Sequence, residues 1–225
     1  MKYIYAPGCA LMIYKPHLAE KLKTVIEGIY GPMDALLSCC FNLPKLEEGT
    51  CIITPCTTCN NRYRTLYKDC TSSYFLATLA ESETFPFPDY HGISMSIQDT
   101  CSGRTDELYL NAIRKLLKRM NINIVEAEKS GKRGKCCGSV LYGKSPIEKV
   151  EAYMKKRAQE MPEEDVVVYC ASCIQGISLG NKRARFIIDL LFDEPTSADP
   201  SGIVSWHNRL GEFQKNGCCY KNPNR

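Results

Sequence analysis

Residues 165–173 have the sequence DVVVYCASC, in which a short run of β-branched residues leads directly into a Cys-x-x-Cys step. Such an uninterrupted apolar run is typical of a strand buried inside a parallel sheet. The sequence TCIITPCTTC at residues 50–59 repeats the arrangement. Where a strand gives way to a helix, free backbone N–H groups and the helix dipole favour the thiolate over the thiol. The two stretches therefore predict two sulfur-rich sites at strand ends.

Strand and helix patterns alternate around these two stretches. KYIYA at 2–6 and ISMSIQ at 93–98 have the short apolar pattern of strands, and 17–31 and 108–120 space their apolar side chains like one face of a helix. This alternation requires crossover connections and hence a mostly parallel sheet. We therefore predict an α/β fold of two tandem cysteine-rich repeats, each with a mostly parallel sheet flanked by helices. Ligands of such sheets bind beyond the carboxyl ends of the strands, which is where cysteines follow here.

The cysteines form an internal repeat. Ten of the fourteen occur as two copies of one pattern, a single Cys followed by a vicinal pair and then a Cys-x-x-Cys. The first copy consists of Cys9, Cys39, Cys40, Cys56 and Cys59, and the second of Cys101, Cys136, Cys137, Cys170 and Cys173. The vicinal pair lies 16 positions before the Cys-x-x-Cys in the first copy and 33 positions before it in the second. We infer that the first copy lacks one structural element.

The repeat sets the predicted domain boundaries. The segment ESETFPFPDYHG interrupts the apolar periodicity with prolines and a glycine, so we assign the first repeat to residues 1–92 and the second to 93–195. Residues 196–225 lack long periodic runs and are predicted to be a loosely structured tail. This tail carries a third vicinal pair, Cys218 and Cys219, without a matching Cys-x-x-Cys.

The composition excludes several classes of protein. With 29 Lys and Arg against 25 Asp and Glu in 225 residues, the net charge is +4, which is too small for a dedicated nucleic-acid or membrane-surface binder. The amino terminus has no apolar stretch of the length of a secretory signal, and no run approaches the ~20 apolar residues of a membrane span. We therefore expect a cytoplasmic protein. In the reducing cytosol, clustered thiols are more often metal ligands or redox catalysts than disulfides.

Five thiols per copy favour one kind of metal centre over others. A thioredoxin-like site would use one Cys-x-x-Cys and leave the vicinal pairs unexplained. Adjacent cysteines form a disulfide only with a strained backbone, whereas two neighbouring thiolates can bind neighbouring metal atoms. A structural Zn²⁺ takes four ligands, so the fifth thiol favours a multinuclear iron–sulfur centre. A zinc site stays an alternative if one thiol per copy is not a ligand.

These motifs resemble those of a known family. The order Pro7-Gly8-Cys9, Cys39-Cys40 and Cys56-x-x-Cys59, with its echo Asp99-Thr100-Cys101, Cys136-Cys137-Gly138 and Cys170-x-x-Cys173, is similar to that of the CCG cysteine-rich domain family over residues 1 to about 193. The cysteine-rich subunit of heterodisulfide reductase is its best-known member. The resemblance implies that each copy binds a noncubane four-iron (4Fe-4S) cluster through its five cysteines. In the first copy Phe41 stands where the family has glycine, and the shortened segment leaves zinc or an altered cluster open there.

The resemblance also implies a function. Reduction of a disulfide takes two electrons, while an iron–sulfur cluster typically passes one at a time, so two clusters suit a disulfide reductase or an electron carrier. The chain has no flavin or nicotinamide motif and is expected to act within a larger complex, taking electrons from a flavin or ferredoxin-type partner. Arg104, Lys132, Arg133 and Lys135 lie next to cysteines in the sequence. The expected substrate is a disulfide or an anionic small molecule. The positive charge of these four residues suits the anion, or the side chains are simply exposed to solvent.

Two rival functions follow from other features. The first is a zinc-stabilised structural or interaction module, which the thiols alone would also fit. The second is a P-loop-like nucleotide-binding protein, because GSVLYGKS at 138–145 satisfies the G-x-x-x-x-G-K-[ST] pattern. A P-loop needs a preceding strand, which the sequence before Gly138 does not predict. Instead Ser145 and Pro146 predict a helix start with a capping box to Glu148, and a further helix is predicted over 184–192.

Overall fold

The structure, a computed structural model, describes residues 1–216. The chain divides into two compact units. Unit 1 comprises Met1–Phe75 together with the segment that begins at Trp206, and unit 2 comprises Leu76–Ser205. No helix among residues 1–216 is long and apolar enough to cross a membrane.

Unit 1 contains a sheet of four short strands with helical connections. The strands are β1 (Tyr3–Tyr5), β2 (Asp34–Ala35), β3 (Cys51–Thr54) and β4 (Thr71–Tyr74). The helices are α1 (Cys9–Tyr14), α2 (Pro16–Tyr30) and α3 (Thr57–Leu66). Helix α4 (Phe75–Ala80) follows β4 in the chain, and all of its residues after Phe75 belong to unit 2. The strand order is β2-β1-β3-β4 and every pairing is parallel.

Unit 2 repeats this architecture with one additional long helix. Its strands are β5 (Ser94–Gln98), β6 (Asn123–Val125), β7 (Asp165–Val168) and β8 (Arg183–Phe186). Its helices are α5 (Glu107–Arg119), α6 (Ile147–Gln159), α7 (Ala171–Leu179) and α8 (Ile187–Leu191), with 3-10 turns at Gly131–Arg133 and Ser139–Leu141. The order is β6-β5-β7-β8, again all parallel.

The two sheets have the same topology, in which the first and third strands of each unit occupy the two central positions. Ile4 of β1 lies opposite Ile52 of β3, and Ile97 of β5 lies opposite Val167 of β7. The prediction of an α/β fold with two repeated halves is confirmed. Because parallel neighbours end at the same edge, segments that leave the two central strands start side by side.

Burial of the predicted apolar faces accounts for most of each core. Leu18, Leu22 and Ile26 of α2 are fully buried, whereas Ile29 near the end of the helix is 45% exposed. All four residues of β3 and of β7 are buried, as expected for central parallel strands. Each fully buried aliphatic side chain contributes about 1.5–3 kcal/mol of favourable transfer free energy.

The element missing from the first copy is α6. In unit 2 this helix lies between the vicinal cysteines and β7, and Val150 and Met154 on its buried face form a cluster with Ile203. In unit 1 the shorter segment 41–50 runs from the vicinal pair to β3 without a helix. The difference in cysteine spacing is therefore the length of one helix and its connection.

Three local predictions were wrong. The helix predicted over 184–192 forms only over Ile187–Leu191, as α8. Residues 184–186 belong instead to the strand β8, because pairing with β7 outweighs the helical spacing of the apolar residues there. Helix α6 begins at Ile147 with Pro146 as its N-cap residue and no side-chain cap, so the capping box from Ser145 to Glu148 does not form.

The third wrong prediction concerns the carboxyl-terminal tail. Gly202–Asn216 forms a fifteen-residue helix, α9, in which Ile203, Trp206 and Phe213 are buried. Helical order here comes from burial of three widely spaced apolar side chains, a signal too sparse to stand out in the sequence. Cys218 and Cys219 lie outside the described residues. The domain boundaries at residues 92 and 195 stay predictions.

Candidate metal centres

The five predicted thiols of unit 1 lie at the carboxyl edge of its sheet. Cys9 is the first residue of α1 and follows Gly8, whose φ of 83° is left-handed. Cys56 is the N-cap residue of α3 and Cys59 lies in the first turn of that helix. The vicinal pair follows β2, in a segment without regular structure. All three segments therefore leave neighbouring parallel strands at one edge.

These thiols are in contact in a fixed order. Sγ of Cys39 lies 3.8 Å from Sγ of Cys9. Thiol contacts continue from Cys39 to Cys40, from Cys40 to Cys59 and from Cys59 to Cys56. A Cβ added at Gly8 would lie 3.4 Å from Sγ of Cys59, so the loop before Cys9 packs closely against the sulfur atoms.

Unit 2 brings its five thiols together in the same order. Cys101 contacts Cys136, and Cys136 contacts its neighbour Cys137. Cys137 in turn contacts Cys173, which contacts Cys170. Cys170 is the N-cap residue of α7, as Cys56 is of α3. Matching residues of the two copies therefore occupy matching positions in the two chains of sulfur atoms.

The pKa of the first member of each vicinal pair is lowered by its neighbours. Hydrogen bonds with Cys40 and Cys9 hold the pKa of Cys39 well below that of a free thiol. Hydrogen bonds with Cys101 and Cys137, and then with backbone N–H groups, do the same for the pKa of Cys136; the amide N of Gly138 lies 3.4 Å from Sγ of Cys136. Each unit therefore carries a thiolate, the form that binds metals, at the second position of its sulfur chain.

The pKa of the second member of each vicinal pair shifts in the opposite direction. Contact with Cys39 raises the pKa of Cys40 to about 12, and contact with Cys136 raises the pKa of Cys137 above its usual range. Cys170 is an exception, because a hydrogen bond with Cys173, backbone N–H groups and the Thr100 hydroxyl together lower its pKa to about 7. Metal binding by either unit would release several protons, since thiolates are the ligands.

Two further cysteines of the described residues stay outside these chains. Cys51 is buried within β3, as its position in an apolar run predicts. Cys70 is partly exposed, and its thiol lies 3.5 Å from the carbonyl oxygen of Glu47. All twelve cysteines within residues 1–216 are free thiols. Within the same range, no three His, Cys, Asp or Glu side chains surround one point as a single metal ion requires; the sulfur atoms form chains of pairwise contacts instead.

Comparison with known proteins agrees with the geometry of unit 2. Residues 95–178 match the model of the CCG family of cysteine-rich domains. Residues 95–178 are a CCG cysteine-rich domain. No curated protein matches the chain. Among solved structures the chain is similar to Picrophilus torridus aspartate racemase, with 10% identity, 94% of this chain and 95% of that chain covered and a TM-score of 0.35, a likeness too low to bear on fold or function.

A buried carboxylate organises the cysteine segments of the CCG domain. Asp99, fully buried just after β5, accepts hydrogen bonds from the Tyr169 hydroxyl at 3.1 Å and from the amide N of Gly131 at 2.6 Å. Tyr169 immediately precedes Cys170, Gly131 opens the turn before Cys136, and Asp99 itself lies two residues before Cys101. One carboxylate thus fixes three segments that carry thiols. Pro7 occupies the corresponding position of unit 1.

The glycine of the CCG motif has a steric cause. Gly138 has a φ of 106°, and a Cβ there would lie 2.8 Å from Cγ of Met154 and 3.0 Å from Cδ1 of Tyr153, both on α6. Unit 1 has no helix at that place, so the equivalent Phe41 is accommodated and is 55% exposed. Its departure from the family pattern follows from the loss of α6.

Two functional candidates in unit 1 were missed by the sequence analysis. Arg62 and Tyr63 follow Cys59 on α3, where the CCG domain has Gly176 and Ile177 after Cys173. Nε of Arg62 donates to the carbonyl oxygen of Cys40 at 3.0 Å. Tyr63 is buried, and its hydroxyl has no hydrogen-bond partner within residues 1–216. An alignment of the two Cys-x-x-Cys motifs shows that both residues differ between the two copies.

Burial and the nearby thiols both act on Tyr63. Burial, followed by the charges of the thiols of unit 1, raises the pKa of Tyr63 above its usual range. The contributing thiols are Cys59, Cys40, Cys56 and Cys39. The hydroxyl therefore keeps its proton at physiological pH and is available as a hydrogen-bond donor.

Most of the basic residues near the second sulfur chain are engaged. Lys132 pairs with Glu107 and Lys135 with Glu160. Nη1 of Arg104 donates to the carbonyl oxygen of Gly134 at 2.7 Å. These contacts brace the loop that carries Cys136, which is a structural role. Contact with an anionic substrate stays a prediction.

The nucleotide-binding pattern does not form a P-loop. The strand nearest before it, β6, ends at Val125, and the residues after Gly138 form a 3-10 turn at Ser139–Leu141. The strand–loop–helix unit that holds phosphates is therefore replaced here by a cysteine-bearing loop.

Proposed function

We propose that each unit binds an iron–sulfur cluster through its five thiols and that the chain carries electrons, as the cysteine-rich subunit of heterodisulfide reductase does. The observation that supports this is the identical order of thiol contacts in two units that share one strand order. If the thiols served only to fill the core, we would not expect the same order of thiol contacts in both units.

The donor set suits a multinuclear centre. Five sulfur donors exceed the four that a tetrahedral zinc site takes, and thiolates are the ligands of iron–sulfur clusters. The acidic thiol at the second position of each chain, Cys39 or Cys136, provides a first ligand without a large cost of deprotonation. The cluster, when bound, supplies one-electron transfer at a potential set by its surroundings.

The protein supplies the geometry and the electrostatic environment. In unit 2, Asp99 holds the segments of Cys101, Cys136 and Cys170 together. In unit 1, Gly8 lets the chain approach Cys59, and Arg62 fixes the carbonyl of Cys40. Each unit thus positions its five donors through contacts of its own.

The proposed substrate is a disulfide, with a flavin or ferredoxin-type protein as the electron donor. A disulfide takes up two electrons and two protons and yields two thiols. Two centres that each pass one electron match that requirement. The donor protein delivers both electrons, and the protons come from solvent.

Metal analysis of anaerobically purified protein tests the proposal. We expect iron and acid-labile sulfide in the wild-type chain and a brown colour with visible absorbance. The double substitution Cys136→Ser and Cys137→Ser should remove about half of the iron, and Cys39→Ser with Cys40→Ser should remove the other half.

The matched control is a substitution at cysteines outside the sulfur chains. Cys51→Ala and Cys70→Ser should leave the iron content unchanged, because neither thiol belongs to the contact order. Wild-type protein without iron and sulfide would refute the proposal. Colourless protein that holds zinc instead would support the zinc-stabilised interaction module.

A further inference from the structure

A buried hydroxyl without a partner marks the candidate centre of unit 1. Tyr63 is 1% exposed, and its oxygen has no hydrogen-bond partner within residues 1–216. Burying a hydroxyl without a partner carries a large desolvation penalty in an apolar setting, so such groups are rare in native structures. A group that binds at this place would remove the penalty.

The position of Tyr63 indicates what that group is. Tyr63 lies four residues after Cys59 on α3, hence one helical turn along on the same face. The charges that act on its phenol after burial are those of Cys59, Cys40, Cys56 and Cys39. Tyr63 is therefore a buried residue on the Cys59 side of α3, near enough to the thiols of unit 1 for their charges to raise its pKa.

The other ring contacts leave the hydroxyl free for this role. The ring of Tyr63 packs against the ring of Tyr67, with centroids 6.1 Å apart, while the Tyr67 hydroxyl donates to the carbonyl oxygen of Pro44 at 2.5 Å. Tyr63 is thus held in place by its ring and by its helix. The hydroxyl oxygen of Tyr63 takes no part in these contacts.

We propose that the Tyr63 hydroxyl donates a hydrogen bond to the sulfur-ligated centre of unit 1 and raises the reduction potential of that centre. A hydrogen bond to a cluster sulfur or a ligating thiolate stabilises the more negative, reduced form. The CCG domain of unit 2 has the apolar Ile177 at the same place, so this donor belongs to unit 1. The inference rests on the proposed function.

Redox titration of the full chain, followed by electron paramagnetic resonance, tests it. We expect Tyr63→Phe to keep its iron and sulfide and to make one centre harder to reduce by about tenfold, which is ~59 mV for a one-electron step. The other centre should keep its potential. Tyr5→Phe is the matched control, because Tyr5 also has a buried hydroxyl without a partner within residues 1–216, and the thiols do not contribute to its environment.

The outcomes separate the two proposals. Wild-type protein without iron and sulfide would refute the proposed function and this inference with it. Equal potentials in wild-type and Tyr63→Phe protein with equal iron would refute this inference alone. If Tyr63→Phe does not load iron, replacement of Tyr63 by 3-fluorotyrosine keeps the shape and gives a stronger donor. The potential of one centre should then rise, and an unchanged potential would overturn the inference.

Discussion

Arg114 of α5 binds the buried carboxylate of Asp99 through the two terminal nitrogens of its guanidinium group, with Nη1 3.1 Å from Oδ1 and Nη2 3.0 Å from Oδ2. The same guanidinium also pairs with Glu126 just after β6, through Nε at 2.8 Å. Asp99 is fully buried, whereas the Arg114 side chain is 24% exposed. The pair therefore joins the end of the central strand β5 to a helix and to the cysteine-bearing loop of the CCG domain.

Removal of the charge of Asp99 should destabilise unit 2. We expect Asp99→Asn to lower the free energy of unfolding by roughly 2–3 kcal/mol. The loss is smaller than for a fully buried ion pair, because Arg114 keeps its ion pair with Glu126 and its contact with solvent. Chemical denaturation measures the change. Glu126→Gln, at a 40% exposed side chain, is the control and should cost about 0–1 kcal/mol. Equal losses in the two variants would contradict the role given to Asp99.

Substitution of the motif glycine should be costly for a steric reason. We expect Gly138→Ala to destabilise the protein by about 2–4 kcal/mol, since it combines a strained φ with overpacking against α6. Thermal unfolding gives the comparison. Gly143 also has a positive φ, 73°, but open space at its Cβ position. Gly143→Ala should therefore cost only about 1 kcal/mol, and a larger loss there than at Gly138 would refute the packing argument.

Helix α9 should contribute to stability through one buried side chain in unit 2. Ile203 is 5% exposed and packs with Val150 and Met154, so we expect Ile203→Ala to cost about 2–4 kcal/mol. Val204, the next residue, is 45% exposed, and Val204→Ala should change stability by less than about 0.5 kcal/mol. Urea unfolding distinguishes the two. A neutral Ile203→Ala would mean that α9 is not part of the core.

An ion-pair cluster between β7 and β8 should make stability depend on pH. Burial alone would raise the pKa of Asp165, but Arg183 and Arg185 outweigh it and lower the pKa; Nη2 of Arg183 lies 2.7 Å from Oδ2. Because the folded-state pKa is depressed, the stabilisation is present above the unfolded-state value of about 3.9. It is lost as pH falls through the folded-state value.

The variant Asp165→Asn tests this dependence. At pH 7 it should be less stable than wild type by about 1 kcal/mol, a modest value because the Arg183 side chain is 70% exposed. Unfolding curves at pH 7 and near pH 3 should show that the difference shrinks in acid. A constant difference at both pH values would assign the effect to packing.

The sequence predicted the parts of the fold that depend on local patterns. Buried runs such as Val166–Val168 identified the central strands, and helical spacing from Leu18 to Ile26 identified α2. The edge strand β8 was missed because its four residues, Arg183–Phe186, lead directly into Ile187–Leu191, whose apolar residues have helical spacing. Pairing with β7 makes the segment a strand. The candidate site followed the same division. The ten cysteines were predicted from their order in the sequence, whereas the roles of Asp99, Arg62 and Tyr63 depend on contacts that the sequence does not specify.

The sequence by itself determined the duplication, since ten cysteines repeat in one order, and the order of a residue type along the chain can be recognised without coordinates. The tertiary structure decided which thiol touches which, because contacts across a sheet edge depend on strand order and register. It also decided that Gly138 is required where Phe41 is tolerated. That difference arises from α6, the helix that follows Gly138 in unit 2, whose side chains occupy the space beside this glycine; the corresponding segment 41–50 of unit 1 has no helix.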